Sequence, residues 1–462
     1  MRCRNLTPIR WRKQIPGQRA SGSQLTTHKP QAESDMQVQV AYGRTGLAIE
    51  VPSGTDIIQS TQLPGVTSEK AALEQALRSP IESAPLADRV DPSSHVVIVH
   101  TDITRATPND RILPVVLDEL LDAGVPRTHI TLVNALGTHR PQTESEHRAL
   151  VGDAVYENFR CLQHDAFDDD LLVDMGRTSN GHPVRLHHLL VDSDLCILTG
   201  FIEPHFFAGF SGGPKGVLPS LAGFESVLSN HGRRMVGSPT ATWGSLDGNP
   251  IWEEMKEVAL MLDEVFLLNV TLNQQHEITG VFAGDLLTAH RKGTDFVRRH
   301  SMVPVGEPYD IVVSCNSGYP LDQNLYQCVK GMSAASQITR PDGHIVMAVA
   351  CADGIPDHGK YADLLRRGGS PDGILAMLNE DGFEEHDQWQ VQMQARIQQQ
   401  ADVHVFSNGL TEKQIREALF IPCADVSKTV AQLAVPSNGA APRICVMPDG
   451  PMTIAYVDRD AR

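Results

Sequence analysis

Hydrophobic residues along the chain gather in short β-branched runs, each closed by glycine or a polar cluster. Several runs lack strict alternation, which is typical of strands buried on both faces. An alternating stretch, MQVQVAYGRTGLAIEVP from Met36, predicts an edge strand and hairpin. The predicted buried strands are HVVIVHT (95–101), HITLVNALGT (129–138), LCILTG (195–200), DIVVSCNSG (310–318), HIVMAVA (344–350), VHVFS (403–407) and RICVMPDG (443–450).

Helical patterns separate these strands. The stretch 109–125 carries apolar residues at helical spacing and has Gly124 near its end. Thr411 with Gln414 three residues later is the signature of a capping box at a helix start. The glutamine-biased stretch 388–402 predicts a surface helix. Strands that alternate with helices in this way predict parallel sheets flanked by helices.

We therefore predict an α/β fold of two domains, each with a largely parallel or mixed sheet flanked by helices, and an active site at the domain interface. A basic helical stretch gives way to proline and glycine near residues 289–308, which places the boundary there. The predicted domains are 36–290, which would carry most of the chemistry, and 291–457. Residues 1–35 are Arg-rich and predict a disordered or misassigned extension.

Charge and composition exclude several function classes. The 462 residues carry a net charge of -17, and the basic first 35 residues leave the remainder near -22. Such a surface is unsuited to nucleic acid. The sequence has no apolar stretch of 18 residues, so we expect no membrane span. Eight scattered cysteines without a C-x-x-C pair predict free thiols and a cytoplasmic protein.

Ionisable groups follow four of the predicted strands. In parallel sheets ligands bind beyond the carboxyl ends of the strands, so these groups predict one cleft. The groups are Asp102 and Arg105, His139 and Arg140, Glu203 and His205, and Asp322, Gln327 and Lys330.

Each piece also has a purely structural interpretation. Asp102 and Arg105 could form a surface pair at a helix start, and His139 could be a structural histidine. The turn HDAFDDD (164–170) is better explained as a solvated acidic turn than as a metal site. The loop SGGPKG (211–216) could be only a tight turn.

The glycine-rich loop matches neither common nucleotide loop. Pro214 and Gly216 stand where a phosphate-binding P-loop needs glycine and a hydroxyl, and no G-x-G-x-x-G motif occurs. Its glycines would let backbone approach a ligand closely and aim Lys215 at it.

Four loops together resemble the lactate racemase family, whose enzymes use a nickel-pincer nucleotide. The similar segments are TDITRATP (101–108), GTHRPQTESE (137–146), GFIEPHFFAGFSGGPKGVLP (200–219) with SNH (229–231), and GYPLDQNLYQCVKGM (318–332). They occur in the family's order, and the similarity runs from about Met36 to Val457.

The resemblance implies a cofactor and a role for each residue. Lys215, beside Gly212 and Gly213, would form a thioamide link to the cofactor, which is the nickel complex of pyridinium-3,5-bisthiocarboxylic acid mononucleotide. His231 would be the fourth nickel ligand, with Asp102 in the cofactor pocket. His139 and His205 would be the acid/base pair. Arg105, Gln327, Lys330 and Tyr326 would hold the substrate. The enzymes that synthesise the cofactor would be partners.

This chemistry suits a 2-hydroxy acid. Its C2–H bond is barely acidic beside a carboxylate, whereas removing that hydrogen as hydride while a histidine takes the hydroxyl proton avoids a carbanion. The substrate is expected to be lactate or a larger hydroxy or sugar acid, because Pro214 and the RATP segment depart from the pattern of lactate racemase itself. Two alternatives stay open: a catalytically silent metal- or nucleotide-binding protein of the same fold, and a zinc-dependent hydrolase.

Overall fold

The structure is a computed structural model that describes residues 35–61, 63–356, 359–436 and 441–458. The predicted N-terminal extension therefore lies almost wholly outside the described residues. Within them, the strands are β1 Met36–Val40, β2 Leu47–Val51, β3 Asp56–Ile57, β4 Val96–Thr101, β5 Ile130–Ala135, β6 Arg160–Gln163, β7 Leu172–Arg177, β8 Pro183–His187, β9 Leu195–Phe201, β10 Pro204–His205, β11 Gly209–Phe210, β12 Val265–Leu272, β13 Ile278–Gly284, β14 Met302–Val305, β15 Tyr309–Cys315, β16 Thr339–Ala348, β17 Ala401–Phe406, β18 Ile421–Pro422, β19 Ile444–Met447 and β20 Ile454–Val457.

The α-helices of the same ranges alternate with these strands. They are α1 Glu69–Arg78, α2 Asn109–Asp122, α3 Glu144–Val151, α4 Asp153–Asn158, α5 His188–Asp192, α6 Phe224–Asn230, α7 Arg233–Val236, α8 Pro250–Ala259, α9 Leu286–Ser301, α10 Leu325–Ser336, α11 Tyr361–Gly368, α12 Pro371–Leu378, α13 Gln388–Gln400, α14 Glu412–Glu417 and α15 Val426–Leu433. No helix in the described ranges is both long and apolar enough to span a bilayer.

The first large sheet belongs to the N-terminal half and has the strand order β13-β12-β9-β4-β5-β6. Its strands pair in parallel except for β13, which lies antiparallel to β12 at the edge. Every residue of β9 is buried, and β4 and β5 each expose only their last residue partly. Strands covered on both faces explain why their sequences read as continuous apolar runs.

The second large sheet belongs to the C-terminal half, in the order β18-β17-β16-β15-β19-β3, and all its pairings are parallel. Its edge strand β3 comes from the N-terminal part of the chain, so that part contributes one strand to the C-terminal sheet. The hairpin β1–β2 forms a separate antiparallel pair. The predicted fold class is confirmed: two α/β domains with parallel and mixed sheets flanked by helices.

The strand and helix predictions hold at the level of single elements. All seven predicted buried strands are present, as are the hairpin from Met36 and helix α2. Thr411 begins α14 through a complete capping box with Gln414. The described cysteines are free thiols, and all but Cys161 are buried. The predicted division at 290/291 stays a prediction, and this position lies inside α9.

The prediction of a surface helix at 388–402 is wrong. Nearly the whole of α13 is buried, including Trp389 and most of its glutamines. The reason is that the glutamine amides donate hydrogen bonds to backbone carbonyls of neighbouring segments. Gln392 Nε2 donates to the carbonyl of Arg233 at 2.9 Å, and Gln394 Nε2 donates to that of Ala418 at 2.8 Å. A buried amide that is hydrogen-bonded carries little desolvation penalty, so a glutamine-rich helix can be internal.

Candidate active site

One cavity gathers every residue to which the family resemblance gives a role, but not Arg140, Glu203 or Asp322, which the sequence analysis also placed in the cleft. Arg140 and Glu203 line neighbouring cavities, and Asp322 accepts from the backbone N–H of Gly43 at 2.7 Å. The first cavity encloses about 1100 Å³, including its opening to solvent, and lies beyond the carboxyl ends of β4, β5 and β9. Helices α10 and α13 of the C-terminal half close its other side. The predicted residues that line it are Asp102, Arg105, His139, His205, Gly212, Gly213, Lys215, His231, Tyr326, Gln327 and Lys330.

His139 is held by a buried carboxylate. Its Nδ1 lies 2.7 Å from Oδ2 of Asp102, whose other oxygen accepts from the Thr104 hydroxyl at 2.7 Å. Burial acts to raise the pKa of Asp102, but the contacts with His139, Arg105 and Thr104 outweigh burial and lower the pKa to about 2. Asp102 is therefore ionised at neutral pH and keeps a proton on Nδ1 of His139. The other ring nitrogen is left as a base.

His205 lies in different surroundings. It is 5% exposed, and its Nδ1 accepts a hydrogen bond from the backbone N–H of Ala208 at 3.2 Å. Burial lowers the pKa of His205 well below its usual value, and the charges of Lys215, Lys330 and Arg105 add to this effect. The ring is therefore neutral at pH 7, with its proton on Nε2, which makes it a hydrogen-bond donor.

The glycine-rich loop is fixed from behind by two polar residues. At Gly212, which has a φ of +75°, a Cβ would lie 2.3 Å from Oδ1 of Asn269. At Gly213 a Cβ would lie 2.5 Å from the ring of His290. Asn269 also accepts from the backbone N–H of Gly213 at 2.8 Å. Glycine is therefore required here by close packing and by backbone conformation, while the loop's other side lines the cavity.

Burial and neighbouring cations lower the pKa values of two lysines of the cavity. Burial, followed by the charges of Arg105 and Lys330, lowers the pKa of Lys215 to about 7, although Glu203 opposes this shift. Burial and Arg105 likewise lower the pKa of Lys330 to about 7. An amine in this range is substantially neutral and nucleophilic at physiological pH. The same cluster attracts anions, because bound negative charge relieves the repulsion among its cations.

His231 follows the last residue of α6 and is 4% exposed. The rings of Phe207 and Trp389 pack edge-on against it, with centroids 5.0 and 5.3 Å away. Its buried Nδ1 has no hydrogen-bond partner within the described chain. Burial, and then the charge of Lys215, lower the pKa of His231 well below its usual value. A neutral imidazole with an unpaired nitrogen on a cavity wall is suited to ligate a metal.

Helix α10 brings Tyr326, Gln327 and Lys330 to the cavity from the C-terminal half. Asn324 caps this helix by accepting from the backbone N–H of Gln327 at 3.1 Å. The Tyr326 hydroxyl already accepts from the Trp389 indole at 3.0 Å. Gln327 and Lys330 are therefore the groups of this helix that are better placed to bind a ligand.

The purely structural interpretations given above for Asp102 and for the turn 164–170 can now be compared with the structure. Asp102 pairs with His139 and is buried, so it is not part of a surface pair with Arg105. The turn 164–170 exposes its four aspartates, as a solvated turn does. Within the described ranges, no group of three or more His, Cys, Asp or Glu side chains could hold a metal ion. His231 would consequently be a single protein ligand.

Sequence reasoning missed several residues that shape the site. Trp389 and Gln390 of α13 line the cavity, as does Asn269 of β12. His290 of α9 is fully buried, and its Nε2 donates to the carbonyl of Ser211 at 2.9 Å. Asn269 carried a usable signal, because an amide in the middle of the apolar strand VFLLNVTL needs a buried partner.

Comparison with known proteins agrees with this arrangement. The family described as lactate racemase N-terminal domain matches residues 42–244, and the lactate racemase C-terminal domain matches residues 305–455. The lactate racemase of Thermoanaerobacterium thermosaccharolyticum is 32% identical over 421 residues, which are 89% of this chain and 97% of that protein. The lactate racemase of Lactiplantibacillus plantarum is 34% identical over 399 residues, which are 86% of this chain and 93% of that protein.

Solved structures give the same result for the backbone. The lactate racemase apoprotein from T. thermosaccharolyticum superposes with a TM-score of 0.85 at 32% identity, covering 91% of this chain and all of that one. A Thermotoga maritima protein shares the fold, with a TM-score of 0.65 at 17% identity over 87% of this chain and all of that one. Taken with the two domain matches and the curated relatives, these similarities show that the chain belongs to the lactate racemase family.

Proposed function

We propose that this protein is a racemase or epimerase that inverts the C2 configuration of a 2-hydroxy acid, either lactate or a larger hydroxy or sugar acid. Family membership gives the isomerase class, since its named relatives are lactate racemases. The observation that carries the proposal is the pair His139 and His205 on a cavity that also contains Arg105 and Lys330. Two imidazoles beside two cations are what proton transfer on an anionic hydroxy acid needs.

The cavity residues fit a nickel-pincer nucleotide. Lys215 offers a buried amine with a pKa of about 7, which favours covalent attachment, and His231 offers a buried imidazole with an unpaired Nδ1. The cavity is also larger than a three-carbon acid requires. When bound, the group would supply an electrophilic centre that accepts the C2 hydrogen with its electron pair.

The remaining chemistry is assigned to the chain's own side chains. Arg105 and Lys330 bind the carboxylate, and Gln327 orients the substrate from α10. His139 takes the hydroxyl proton from the enantiomer whose hydroxyl faces it, and Asp102 stabilises the imidazolium that forms. His205 donates a hydrogen bond from Nε2 to the substrate oxygen and, in its protonated form, gives a proton to that oxygen as the opposite enantiomer forms, while His139 releases the proton it took to solvent. Because the substrate is anionic, its binding offsets the charges of Lys215, Lys330 and Arg105 and makes protonation of His205 easier.

The two alternatives are less well supported. A hydrolytic zinc site takes three protein ligands, and the described residues contain no such group. A silent binding protein has no need of a histidine held by a buried carboxylate in the same cavity as a second, buried histidine. Asp102, His139 and His205 are more economically explained by catalysis.

The test uses protein produced together with the cofactor-synthesis enzymes. Intact and peptide mass should show an added group on Lys215, which the variant Lys215→Arg lacks, and nickel should be present. A C2-deuterated substrate should then racemise in ordinary water with most of its label retained, and some 2-keto acid should be trapped on quenching. Complete loss of the label without keto acid would mean proton abstraction from carbon, which overturns the proposed mechanism. Loaded protein that inverts no 2-hydroxy acid at all would overturn the function itself.

A further inference from the structure

A second cavity adjoins the first on the side of His139. It encloses about 1010 Å³ including its opening, and it is referred to below as the outer cleft. Five residues line both spaces, namely Asp102, Thr138, His139, Tyr326 and Gln327. The two spaces therefore adjoin at these residues, and a ligand bound near His139 and Gln327 has the outer cleft beside it. Lactate has no atoms to place there.

Neutral hydrogen-bonding groups form one part of the lining of the outer cleft, beside the apolar residues Ile103, Pro320, Leu321 and Pro356. Four carboxamides, those of Gln142, Gln323, Asn324 and Gln327, line it beside the Thr138 hydroxyl. The cap of α10 uses Oδ1 of Asn324, which leaves its Nδ2 donor for a ligand. Amides and hydroxyls both donate and accept, so they pair well with alcohol groups.

Charged side chains of the outer cleft already have partners. Arg140 forms a two-bond ion pair with Glu146 at 2.7 and 2.9 Å. Asp387 accepts from the backbone N–H of Lys360 at 2.8 Å, and Asp353 accepts from Gln323. A second substrate carboxylate would meet three aspartates, Asp102, Asp353 and Asp387, and an arginine that is already neutralised. A dicarboxylate is therefore disfavoured. The amide of Gln142 accepts from Asn134 and that of Gln323 donates to Asp353, but an apolar tail would leave Nδ2 of Asn324 and the amide of Gln327 facing no polar group of the ligand.

We infer that the outer cleft binds the polyhydroxylated tail of a sugar acid, so that aldonic acids are the preferred 2-hydroxy acid substrates of this protein. This inference rests on the proposed racemisation and adds the substrate class to it. The competing occupant is the ribose phosphate of the cofactor. A phosphate would require free cations, and the arginine of this cleft is paired with Glu146.

The test compares kcat/KM of the cofactor-loaded protein for four acids: lactate, a six-carbon aldonic acid, malate and 2-hydroxyhexanoate. We expect the aldonic acid to exceed each of the others by about tenfold or more. Gln323→Met, which keeps the side-chain size and removes its polar atoms, should lower kcat/KM for the aldonic acid about fivefold and leave that for lactate within about twofold. Thr138→Val is a second, nearly isosteric variant that should also lower kcat/KM for the aldonic acid; because Thr138 lines the active-site cavity too, the unchanged rate with lactate is required of Gln323→Met alone.

The matched control is Gln399→Met, because Gln399 forms an amide–carboxylate pair with Asp372 outside both cavities, as Gln323 does with Asp353 inside one. It should change neither substrate's kcat/KM. A preference for 2-hydroxyhexanoate or malate, or for lactate, would overturn the aldonic acid assignment while leaving racemisation intact. Loss of the mass added on Lys215 in Gln323→Met and Thr138→Val would assign the outer cleft to the cofactor and would also overturn the inference. Inactivity on all four acids would instead count against the proposed function.

Discussion

The two histidines of the cavity, His139 and His205, have the same side chain in different environments. The side chain of His139 is 38% exposed and hydrogen-bonded to the ionised Asp102. His205 is buried, and no carboxylate within the described residues contacts its ring. Its Nδ1 accepts a hydrogen bond from a backbone N–H, whereas Nδ1 of His139 carries a proton and donates a hydrogen bond to Asp102. In the proposed mechanism, the free protein therefore presents His139 as a proton acceptor and His205 as a neutral hydrogen-bond donor.

This difference between the environments of His139 and His205 is that of the protein without substrate. A racemase has to convert each enantiomer into the other, so in the proposed mechanism the two histidines become more alike when substrate binds. The cations that lower the pKa of His205 are Lys215, Lys330 and Arg105, and the last two are the proposed carboxylate ligands. Substrate binding therefore removes part of the cause of this difference. Experiments on the two sides of the cavity can test this comparison directly.

The largest effect is expected from replacing either histidine. His139→Gln and His205→Gln should each lower turnover by about 10²–10⁴-fold, because each removes one proton-transfer group. The control is His188→Gln, since His188 forms a surface pair with Asp192 at 3.1 Å and lies outside the cavity. Racemisation rates measured from each enantiomer give the result. A loss below about tenfold for either cavity variant would contradict its acid/base role.

A smaller effect is expected from Asp102→Asn, which keeps the shape of the side chain and removes its charge. The imidazolium of His139 then loses its counter-ion, and turnover should fall about 10- to 100-fold. Asp192→Asn, beside His188, is the matched control and should have no effect. The mass added on Lys215 should be unchanged, and kcat should fall more than KM rises. Loss of the added group would instead place Asp102 in the cofactor pocket, as the family resemblance implies.

Much of this architecture could be predicted from the sequence, for a physical reason. Parallel strands covered on both faces need long apolar runs, and ligand-binding groups follow their carboxyl ends, so both signals are local. Asp102, His139 and His205 could therefore be identified by their positions after β4, β5 and β9. Their family roles came from the resemblance of whole loops and could not be deduced from spacing.

Contacts between distant segments could not be predicted. The hydrogen bond between His139 and Asp102 joins loops 37 residues apart, and its geometry depends on the pairing of β4 with β5. The burial of α13 depends on carbonyls that only the folded chain places beside its glutamines. His290 belongs to the basic helical stretch that the sequence predicts near 289–308, yet it is fully buried and packs against Gly213.

The next prediction concerns the amine of Lys215. In cofactor-free protein its reaction with a small amine reagent should have a midpoint near pH 7, against about 10.5 for an ordinary lysine, because burial and neighbouring cations favour the neutral amine. Reductive methylation followed by peptide mass spectrometry measures this midpoint. Lys413, whose side chain is 84% exposed, is the control in the same sample and should react with the midpoint of an ordinary lysine. In Lys330→Met the midpoint should move upward, since one repelling charge is lost. A wild-type midpoint above about 9 would remove the basis for an activated lysine.

The smallest effect is expected on stability. The pKa of Lys330 is about 7 in the folded protein and near 10.5 in the unfolded chain, so between these values the unfolded state binds the extra proton. Stability therefore increases as pH rises from 7, and the cost of a buried charge is fully present below pH 7. Lys330→Met removes this cost, so in cofactor-free protein it should raise Tm by roughly 2–4 °C at pH 6 and by less at pH 9. Lys413→Met, at an exposed site, should show no such dependence on pH. A gain in Tm that increases from pH 6 to pH 9 would mean that the folded protein stabilises the charged form of Lys330. The proposed repulsion among the cations of the carboxylate site would then be wrong.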